Sequence, residues 1–240
     1  MSQFNWLITS FSDTVFTAFD TETTGLDPKS NRVIEIGGIR FDSRGIRSRF
    51  NVLIDPKFPI PPEVTRINGI TDAMVAGQSE SKKVLPDFLR FIGDTVLIAH
   101  NAPFDINFIN EELIRLGITT MKNKVIDTRI FAKEVFPGLP KYSLQELAVK
   151  FGIEARDAHR AEDDARVCLE LFLNCMDKLR EKNPKLVEEA ILRAKQPKNE
   201  QTLFSEADKP PVHINVIPID SDDLFSEEFD DEEFSDENMI

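Results

Sequence analysis

Cysteine, tryptophan and tyrosine are scarce in this chain of 240 residues, which holds two cysteines and one each of the other two. Cys168 and Cys175 lie seven positions apart in a segment with a helical pattern. That spacing suits packing on one helix face better than pairing. We therefore expect two reduced, buried thiols and no fold that depends on disulfides.

Long apolar runs are also missing. The run Val96–Ala99 is among the longest, whereas a helix that crosses a bilayer needs roughly 20 apolar residues. The N-terminal stretch MSQFNWLITSFSD lacks the basic start and long apolar centre of a secretory signal. We expect a protein of the cytoplasm with no membrane partner.

Basic residues are outnumbered, with 29 Lys and Arg against 42 Asp and Glu and a net charge of -13. Uniform acidity would argue against a nucleic-acid partner, because phosphates attract basic side chains. The acidity is confined to residues 199–240, however, which hold 14 acidic residues and one lysine. The rest of the chain has 28 acidic and 28 basic residues. A nucleic-acid partner for this neutral body therefore stays open.

Hydrophobic residues make up 41% of the chain and include 19 phenylalanines, which is enough for a sizeable core. TVFTAFD, RVIEIGGIRFD and IRSRFNVLID are typical of strands, and Gly45 marks a hairpin between the last two. TVLIAH and KVIDT predict later strands that alternate with helices. One such helix opens with a capping box from Ser143 to Glu146, and another runs from about Ala161 to Leu179. This order predicts one α/β domain with a mixed sheet.

Three regions follow along the chain. Residues 1–183 form the predicted domain, in which FPIPPEVTRINGITD is a proline-rich connection with one helical turn. Residues 184–198 form a helix that begins at Pro184. Residues 199–240 are rich in Asp, Glu, Ser and Pro and cannot bury enough apolar surface to offset their chain entropy, so we expect a disordered acidic tail.

The run VFTAFDTETTG ends an apolar strand with two carboxylates, Asp20 and Glu22. Side chains two apart share one face of a strand, so two like charges lie close together. Such clustering costs free energy unless a cation neutralises it, and oxygen ligands suit Mg²⁺ or Mn²⁺. For a lone pair of this kind, capping of the following turn is the favoured explanation. A metal site requires further carboxylates at the same place.

Asp105 and Asp164 are the further candidates. Asp105 lies in the first turn of a helix beginning near Pro103, where the helix dipole alone accounts for an acid. Asp164 lies near the apolar stripe of the long helix, where a carboxylate needs a partner or a metal. His159 is five residues earlier, about 140° around an ideal helix. We therefore place it on the preceding loop, where its imidazole could act as a general base.

Three motifs occur in order: D-x-E-T-T-G at Asp20 to Gly25, H-N-A-x-F-D at His100 to Asp105, and H-x4-D at His159 to Asp164. Together they resemble the motifs of the DEDDh 3′-to-5′ exonucleases, also called DnaQ-like exonucleases. The flanking segments VIEIGGI, INGIT and VIDT fall where that family has them, so the resemblance covers residues 14–178. Each motif alone is weak, and the combination is specific.

The resemblance implies a ribonuclease-H-like fold, a mixed five-stranded sheet flanked by helices. It also implies a site that holds two Mg²⁺ or Mn²⁺ ions, with His159 deprotonating the attacking water and nucleoside 5′-monophosphates as products. The implied metal ligands, which with His159 form the catalytic set, are Asp20, Glu22, Asp105 and Asp164. The implied contacts to the terminal nucleotide and its 3′ hydroxyl are Thr23, Thr24, Asn101 and Phe104.

The motif blocks look most like those of the proofreading subunits of bacterial replicative DNA polymerases. That likeness implies single-stranded or frayed DNA 3′ ends as substrate and a replicative polymerase subunit as partner. RNA trimming and degradation of small oligonucleotides are the alternatives, because the motifs do not separate DNA from RNA. A non-catalytic interaction protein acting through its acidic tail is a further alternative, against which the intact catalytic set argues.

The tail contains Gln201-Thr-Leu-Phe204, which is similar to peptides that dock into the bacterial sliding clamp. Gln201, Leu203 and Phe204 would make that contact, and a chance apolar cluster explains the same residues. Further on, SDDLFSEEFDDEEF alternates acids with apolar residues. Such a segment either folds onto a basic, apolar groove of a partner or only keeps the chain soluble.

Three other titratable residues receive no catalytic role. Asp127, at the end of KVIDT, is expected to serve structure and to stay out of the metal site. His100 ends a strand and is expected to be packed or hydrogen-bonded. His213 falls in the tail.

Overall fold

The structure is a computed structural model that describes residues 2–195. The predicted acidic tail, the clamp-like segment from Gln201 to Phe204 and the last residues of the 184–198 helix lie outside the described residues. Within residues 2–195, no helix combines the length and the apolar character that crossing a membrane requires.

Five strands form one mixed sheet with the order β3-β2-β1-β4-β5. β1 pairs antiparallel with β2, β2 pairs antiparallel with β3, and β1, β4 and β5 run parallel. The predicted five-stranded sheet and the hairpin before Gly45 are thus confirmed. The strands are β1 (Phe16–Thr23), β2 (Val33–Asp42), β3 (Gly45–Leu53), β4 (Val96–Ala99) and β5 (Val125–Asp127).

Helices cover both faces of this sheet. The proline-rich connection contains one short helix and leads into a second, where the sequence predicted a single turn. Pro62 stands at the first helical position, where its missing N–H costs nothing, and the Thr71 side chain caps the second helix. The helices are α1 (Trp6–Ser10), α2 (Pro62–Asn68), α3 (Asp72–Val75), α4 (Ser81–Ile92), α5 (Ala102–Arg115), α6 (Thr128–Val135), α7 (Leu144–Phe151), α8 (Ala161–Lys182) and α9 (Pro184–Lys195).

The alternation of side chains along β1 divides the main core into two layers. Phe16 belongs to the layer under α6, α7 and α8, and its ring centroid lies 5.4 Å from that of Phe172 on α8. Phe19 belongs to the layer under α4 and α5, and its ring lies 5.8 Å from that of Phe88 on α4. Cys168 and Cys175 are free and buried in the first layer, as predicted. β1 is therefore held rigidly from both sides.

The start of α8 touches the backbone of β2. A Cβ atom built on Gly37 would lie 2.1 Å from the carbonyl carbon of Ala161 and 2.2 Å from the backbone nitrogen of Glu162. Only glycine permits this approach. Gly37 is also the strand partner of Asp20, so the contact brings the first turn of α8 over the acidic end of β1.

Gly37→Ala should lower the free energy of unfolding by about 3 kcal/mol, because the new methyl group overlaps backbone atoms that cannot move aside. The matched control is Gly38→Ala. Its Cβ would meet a ring atom of Phe91 at 2.9 Å, and that side chain is free to shift. Urea denaturation of both variants tests this, and equal losses would contradict the backbone contact.

Candidate active site

The end of β1 carries two carboxylates that meet a third from α8. One oxygen each from Asp20, Glu22 and Asp164 lies within 4.8 Å of the others. Asp20 and Glu22 share a face of the strand, and Asp164 comes from the first turn of α8. The structure therefore brings together three of the four ligands that the sequence predicted.

Asp105, the fourth predicted ligand, borders this cluster. It lies in the first turn of α5, is only 2% exposed, and is absent from the group of three. Its Oδ1 accepts hydrogen bonds from the backbone nitrogen of Thr21 at 2.9 Å and from Thr21 Oγ1 at 2.7 Å. The charge of Asp105 nevertheless raises the pKa of Asp20. Thr21, which lies between Asp20 and Glu22 in the sequence, thus fixes Asp105 against β1.

Asp164 is oriented by two donors. The Gln145 side chain on α7 donates to Oδ1 at 3.1 Å, and the backbone N–H of His159 donates to Oδ2 at 3.1 Å. The positive end of the α8 dipole also favours a negative charge there. The carboxylate is therefore held at one place before any cation binds.

Glu22 has its own amide partner, Asn68, which the sequence analysis missed. Asn68 ends α2, is buried, and donates from Nδ2 to Glu22 Oε2 at 3.2 Å. The following Gly69 adopts a left-handed conformation that stops the helix at this residue. The segment INGIT therefore places the Asn68 amide beside the site. In the sequence, an Asn directly before a glycine that can end a helix was the available sign of this position.

Burial makes every carboxylate of the site hard to ionise. Loss of water raises the pKa of Glu22 to about 8 despite the Asn68 hydrogen bond, and raises that of Asp105 to about 7 despite Thr21. Burial raises the pKa of Asp20 well above its usual value, and the charges of Asp105 and Asp164 raise it further. Burial also raises the pKa of Asp164. A divalent cation fits this set, because it would offset both desolvation and mutual repulsion.

His159 lies on the loop before α8, as the angular argument predicted. Its side chain is exposed, and its backbone has φ +62°, a conformation that few non-glycine residues adopt. The hydrogen bond from its backbone to Asp164 holds the residue next to the acidic cluster. Such backbone strain persists only where surrounding contacts enforce it.

Thr23 and Thr24 use their hydroxyls to hold the turn after β1. Thr23 Oγ1 donates to the carbonyl oxygen of Gly25 at 2.7 Å, and Thr24 Oγ1 donates to Asn31 Oδ1 at 3.1 Å. The backbone N–H of Thr24 donates to the carbonyl oxygen of Arg32 at 2.9 Å. Both threonines are therefore part of a rigid turn, and their contact with a 3′ end remains a prediction.

Asn101 and Phe104 stand at the start of α5. Asn101 has φ +60°, and its backbone N–H donates to Asp127. The ring of Phe104 lies 4.9 Å from that of Phe108, and the side chain is partly buried against the core. Their predicted contacts with the terminal nucleotide also stay predictions.

Asp127 and His100 have the structural roles that the sequence predicted. Asp127 accepts backbone N–H groups at the starts of both α5 and α6. His100 Nε2 lies 2.8 Å from the carbonyl oxygen of Tyr142, and its Nδ1 lies 2.9 Å from Thr128 Oγ1. Burial lowers the pKa of His100 to about 4, so its ring is neutral at pH 7.

The family model described as Exonuclease matches residues 17–172, which include every carboxylate of the site and His159. The chain belongs to this exonuclease family. It is 50% identical over 171 residues to a DNA polymerase III subunit epsilon of Treponema pallidum (strain Nichols), covering 70% of this chain and 80% of that protein. It is 37% identical over 167 residues to the subunit epsilon of Aquifex aeolicus (strain VF5), covering 70% and 83%. The predicted kinship with the DnaQ-like exonucleases is confirmed.

Solved structures agree with this membership. Exonuclease X in complex with 5′ overhanging duplex DNA superposes with a TM-score of 0.57 at 28% identity, covering 68% of this chain and 91% of that one. Members of the exonuclease family depend on divalent metals, and the carboxylate cluster of this chain suits such an ion. The ribonuclease-H-like fold is likewise confirmed.

The raised carboxylate pKa values predict how stability depends on pH when EDTA removes metal ions. Between about pH 6.5 and 8 the folded chain binds more protons than the unfolded chain, whose carboxyl groups have lost theirs by about pH 5, so stability falls as the pH rises. His100 opposes the trend only at the lower end of this range, because its unfolded form is half protonated at about pH 6.5 and almost neutral by about pH 7.5, whereas its folded form is neutral throughout. Mn²⁺ should restore the lost stability.

Thermal unfolding in EDTA at these two pH values measures the effect. Glu22→Gln should raise the midpoint at the higher pH and reduce the fall, whereas Glu63→Gln on the exposed face of α2 should change neither. A midpoint that rises with pH in the wild type would show that the acidic cluster is not buried as described.

Proposed function

We propose that this chain is a metal-dependent 3′-to-5′ exonuclease that proofreads during DNA replication, releasing nucleoside 5′-monophosphates from single-stranded or frayed DNA ends. The observation that carries the proposal is the convergence of Asp20, Glu22 and Asp164 within 4.8 Å, with Asp105 beside them. The family membership and the epsilon relatives support the same reaction.

The four carboxylates together suit two divalent ions, because four negative charges balance two ions of charge +2. The donors are all oxygen atoms, which both Mg²⁺ and Mn²⁺ accept. Bound there, such ions supply Lewis-acid stabilisation of the charge that develops on the phosphate and lower the pKa of a water molecule. Thr21, Asn68 and Gln145 hold the carboxylates in place by hydrogen bonds, so little rearrangement is needed on binding.

His159 serves as the general base in this proposal. Its exposed ring can take a proton from the attacking water and pass it to solvent, which buried His100 cannot do. The backbone bond to Asp164 couples its position to the metal ligands. Proton removal and phosphate stabilisation therefore occur at one edge of the sheet.

The terminal nucleotide is proposed to rest on the turn at Thr23 and Thr24 and on the start of α5, with Asn101 and Phe104 beside it. The rigid turn described above would present its backbone to a 3′ hydroxyl without reordering. Residues 1–198 have no net charge. This suits a substrate that is held mainly at its end, because few phosphate contacts are then needed. DNA is proposed over RNA because the relatives are DNA polymerase III subunits and Exonuclease X was solved with DNA.

A polymerase subunit is the proposed partner, in the cytoplasm, in line with the names of the epsilon relatives. The segment from Gln201 to Phe204 is proposed to contact a sliding clamp on the strength of its sequence alone. The segment from Gln201 to Phe204 lies outside the described residues.

Release of mononucleotides from 5′-labelled single-stranded DNA and RNA of equal sequence tests the reaction. With Mg²⁺ or Mn²⁺, His159→Ala should lower the rate by about 10²- to 10⁴-fold, the range for loss of a general base. Asp20→Ala should reduce the rate to background, because a ligand of the cation is lost. Lys178→Gln on the exposed side of α8 is the control and should behave as wild type.

Each outcome of that assay has a defined meaning. Wild-type protein that shows no metal-dependent activity on either polymer would contradict the enzyme and favour the non-catalytic interaction protein. A preference for RNA would replace proofreading by RNA trimming.

Removal of residues 199–240 should leave the rate on free oligonucleotides within about twofold of wild type, because every proposed catalytic residue lies between Asp20 and Asp164. The same assay with the truncated chain measures this. A large loss would show that the acidic tail takes part in the chemistry and is not only a docking segment.

A further inference from the structure

Glu35 of β2 is a fully buried carboxylate with three donors. Arg160 Nε donates to Oε2 at 3.1 Å, and Arg160 Nη2 donates to Oε1 at 2.8 Å. The backbone N–H of Ala161 donates to Oε2 at 3.1 Å. Glu35 is 0% exposed. A bidentate guanidinium pair of this kind fixes the plane of both groups.

Glu35 lies beside the acidic cluster without joining it. It is the strand partner of Glu22, and its charge is one of those that raise the pKa of Glu22. The group of three carboxylates that could share a cation does not include it. Arg160 therefore neutralises Glu35, and a buried carboxylate without such a partner would be costly.

The three residues from His159 to Ala161 are held from two elements. Glu35 on β2 binds the side chain of Arg160 and the backbone of Ala161, while Asp164 on α8 binds the backbone of His159. The backbone of Ala161 also packs directly against Gly37 on the same strand. These bonds enforce the left-handed backbone of His159, which is otherwise unfavourable.

The earlier part of the loop has an anchor of its own in addition to the hydrogen bond from the Arg160 backbone N–H to the carbonyl oxygen of Asp157 at 3.2 Å. The Asp163 side chain accepts the backbone N–H groups of Arg156 at 2.7 Å and Asp157 at 2.9 Å. Loss of the Glu35 contacts would therefore loosen His159 to Ala161 and leave the start of the loop in place.

We propose that Glu35 is a positioning residue which, acting through Arg160 and Ala161, sets the place of the His159 imidazole for proton transfer. The inference rests on the proposed exonuclease function. It assigns to VIEIGGI a task in catalysis other than cation binding: Glu35 holds Arg160 and Ala161 next to the base, and Asp164, one of the proposed cation ligands, holds the backbone of His159 itself.

Glu35→Gln is the central variant, because glutamine keeps the volume and one acceptor oxygen and removes the charge. We expect kcat to fall about 10- to 100-fold, as displacement of a reacting group by about 1 Å does, while KM for single-stranded DNA stays near the wild-type value. Wild-type kcat would overturn the proposal. A loss confined to KM would overturn it as well.

Asp42→Asn is the matched control on the same strand. Asp42 also receives a bidentate arginine, with Arg47 Nε at 2.9 Å and Arg47 Nη2 at 3.0 Å, and it ends β2 seven residues after Glu35. That places it about 23 Å away along the strand. Wild-type kcat for Asp42→Asn is expected, and an equal loss would mean that breaking any such pair on β2 impairs the enzyme, which would overturn a specific role for Glu35.

A double-mutant cycle with His159→Ala separates positioning of the base from a general effect. Since Glu35 acts through His159, Glu35→Gln should cost little further activity in the His159→Ala background. The same fold-loss in both backgrounds would overturn the proposal. Mn²⁺ affinity, measured by titration without DNA, should stay at the wild-type value, and a weakening that matches the kcat loss would overturn it too.

Hydrogen exchange gives a readout independent of activity. The amides from His159 to Ala161 should exchange faster in Glu35→Gln than in wild type, whereas those of Arg156 and Asp157 should not change. Unchanged exchange at His159 to Ala161 would overturn the proposal.

Arg160→Lys tests the same link if Glu35→Gln does not fold. Lysine keeps the charge beside Glu35 but lacks the two-pronged geometry, so kcat should fall while the buried carboxylate stays neutralised. Wild-type kcat in Arg160→Lys would overturn the proposal. Failure of this inference leaves the proposed function standing as long as wild-type protein is active on DNA and His159→Ala is slow. The function itself fails if wild-type protein is inactive or prefers RNA.

Discussion

Carboxylates withdrawn from water resist ionisation and repel one another, and the end of β1 is built around that constraint. Asp20, Glu22 and Asp164 converge there with Asp105 beside them. Hydrogen bonds from Asn68 and Thr21 offset only part of the cost, since the pKa values of Glu22 and Asp105 remain at about 8 and 7. The remaining cost is what a divalent cation removes on binding. Metal affinity, pH dependence and stability therefore have a common origin.

The fold treats buried negative charge differently at two neighbouring places, one that positions the loop of His159 and one that suits a metal ion. At Glu35 a permanent protein cation, Arg160, neutralises the carboxylate and fixes the loop that carries His159. The carboxylates of the cluster of three instead keep raised pKa values, which a bound metal ion would lower. Gly37 allows the Arg160–Glu35 pair and the carboxylate cluster to lie side by side, because it lets the start of α8 pack directly on β2. The sheet, packed on both faces, provides the rigid support that such placement requires.

Local patterns were enough to predict a mixed sheet and the loop position of His159, whereas the set of four acids was implied by the resemblance of the three motifs to the DEDDh exonucleases. Period-two alternation marked the strands, and the angle between His159 and Asp164 excluded a shared helix face. The partners of these acids could not be predicted, because Asn68 and Gln145 lie 46 and 19 residues from the carboxylates they bind. Arg160 and Glu35 are 125 residues apart. Such contacts depend on how α2, α7 and β2 meet in space. The helix α2 was underpredicted because proline at a first helical position resembles a breaker in sequence.

Calorimetric titration of the wild-type protein with Mn²⁺, repeated in buffers of different ionisation enthalpy, tests the central claim most directly. A cation that replaces protons on buried carboxylates must release them as it binds. We predict release of about one proton or more at about pH 6.5, where Glu22 and Asp105 hold protons, and a release that declines towards about pH 9. Mn²⁺ binding without proton release at the lower pH, or no Mn²⁺ binding at all, would contradict the account.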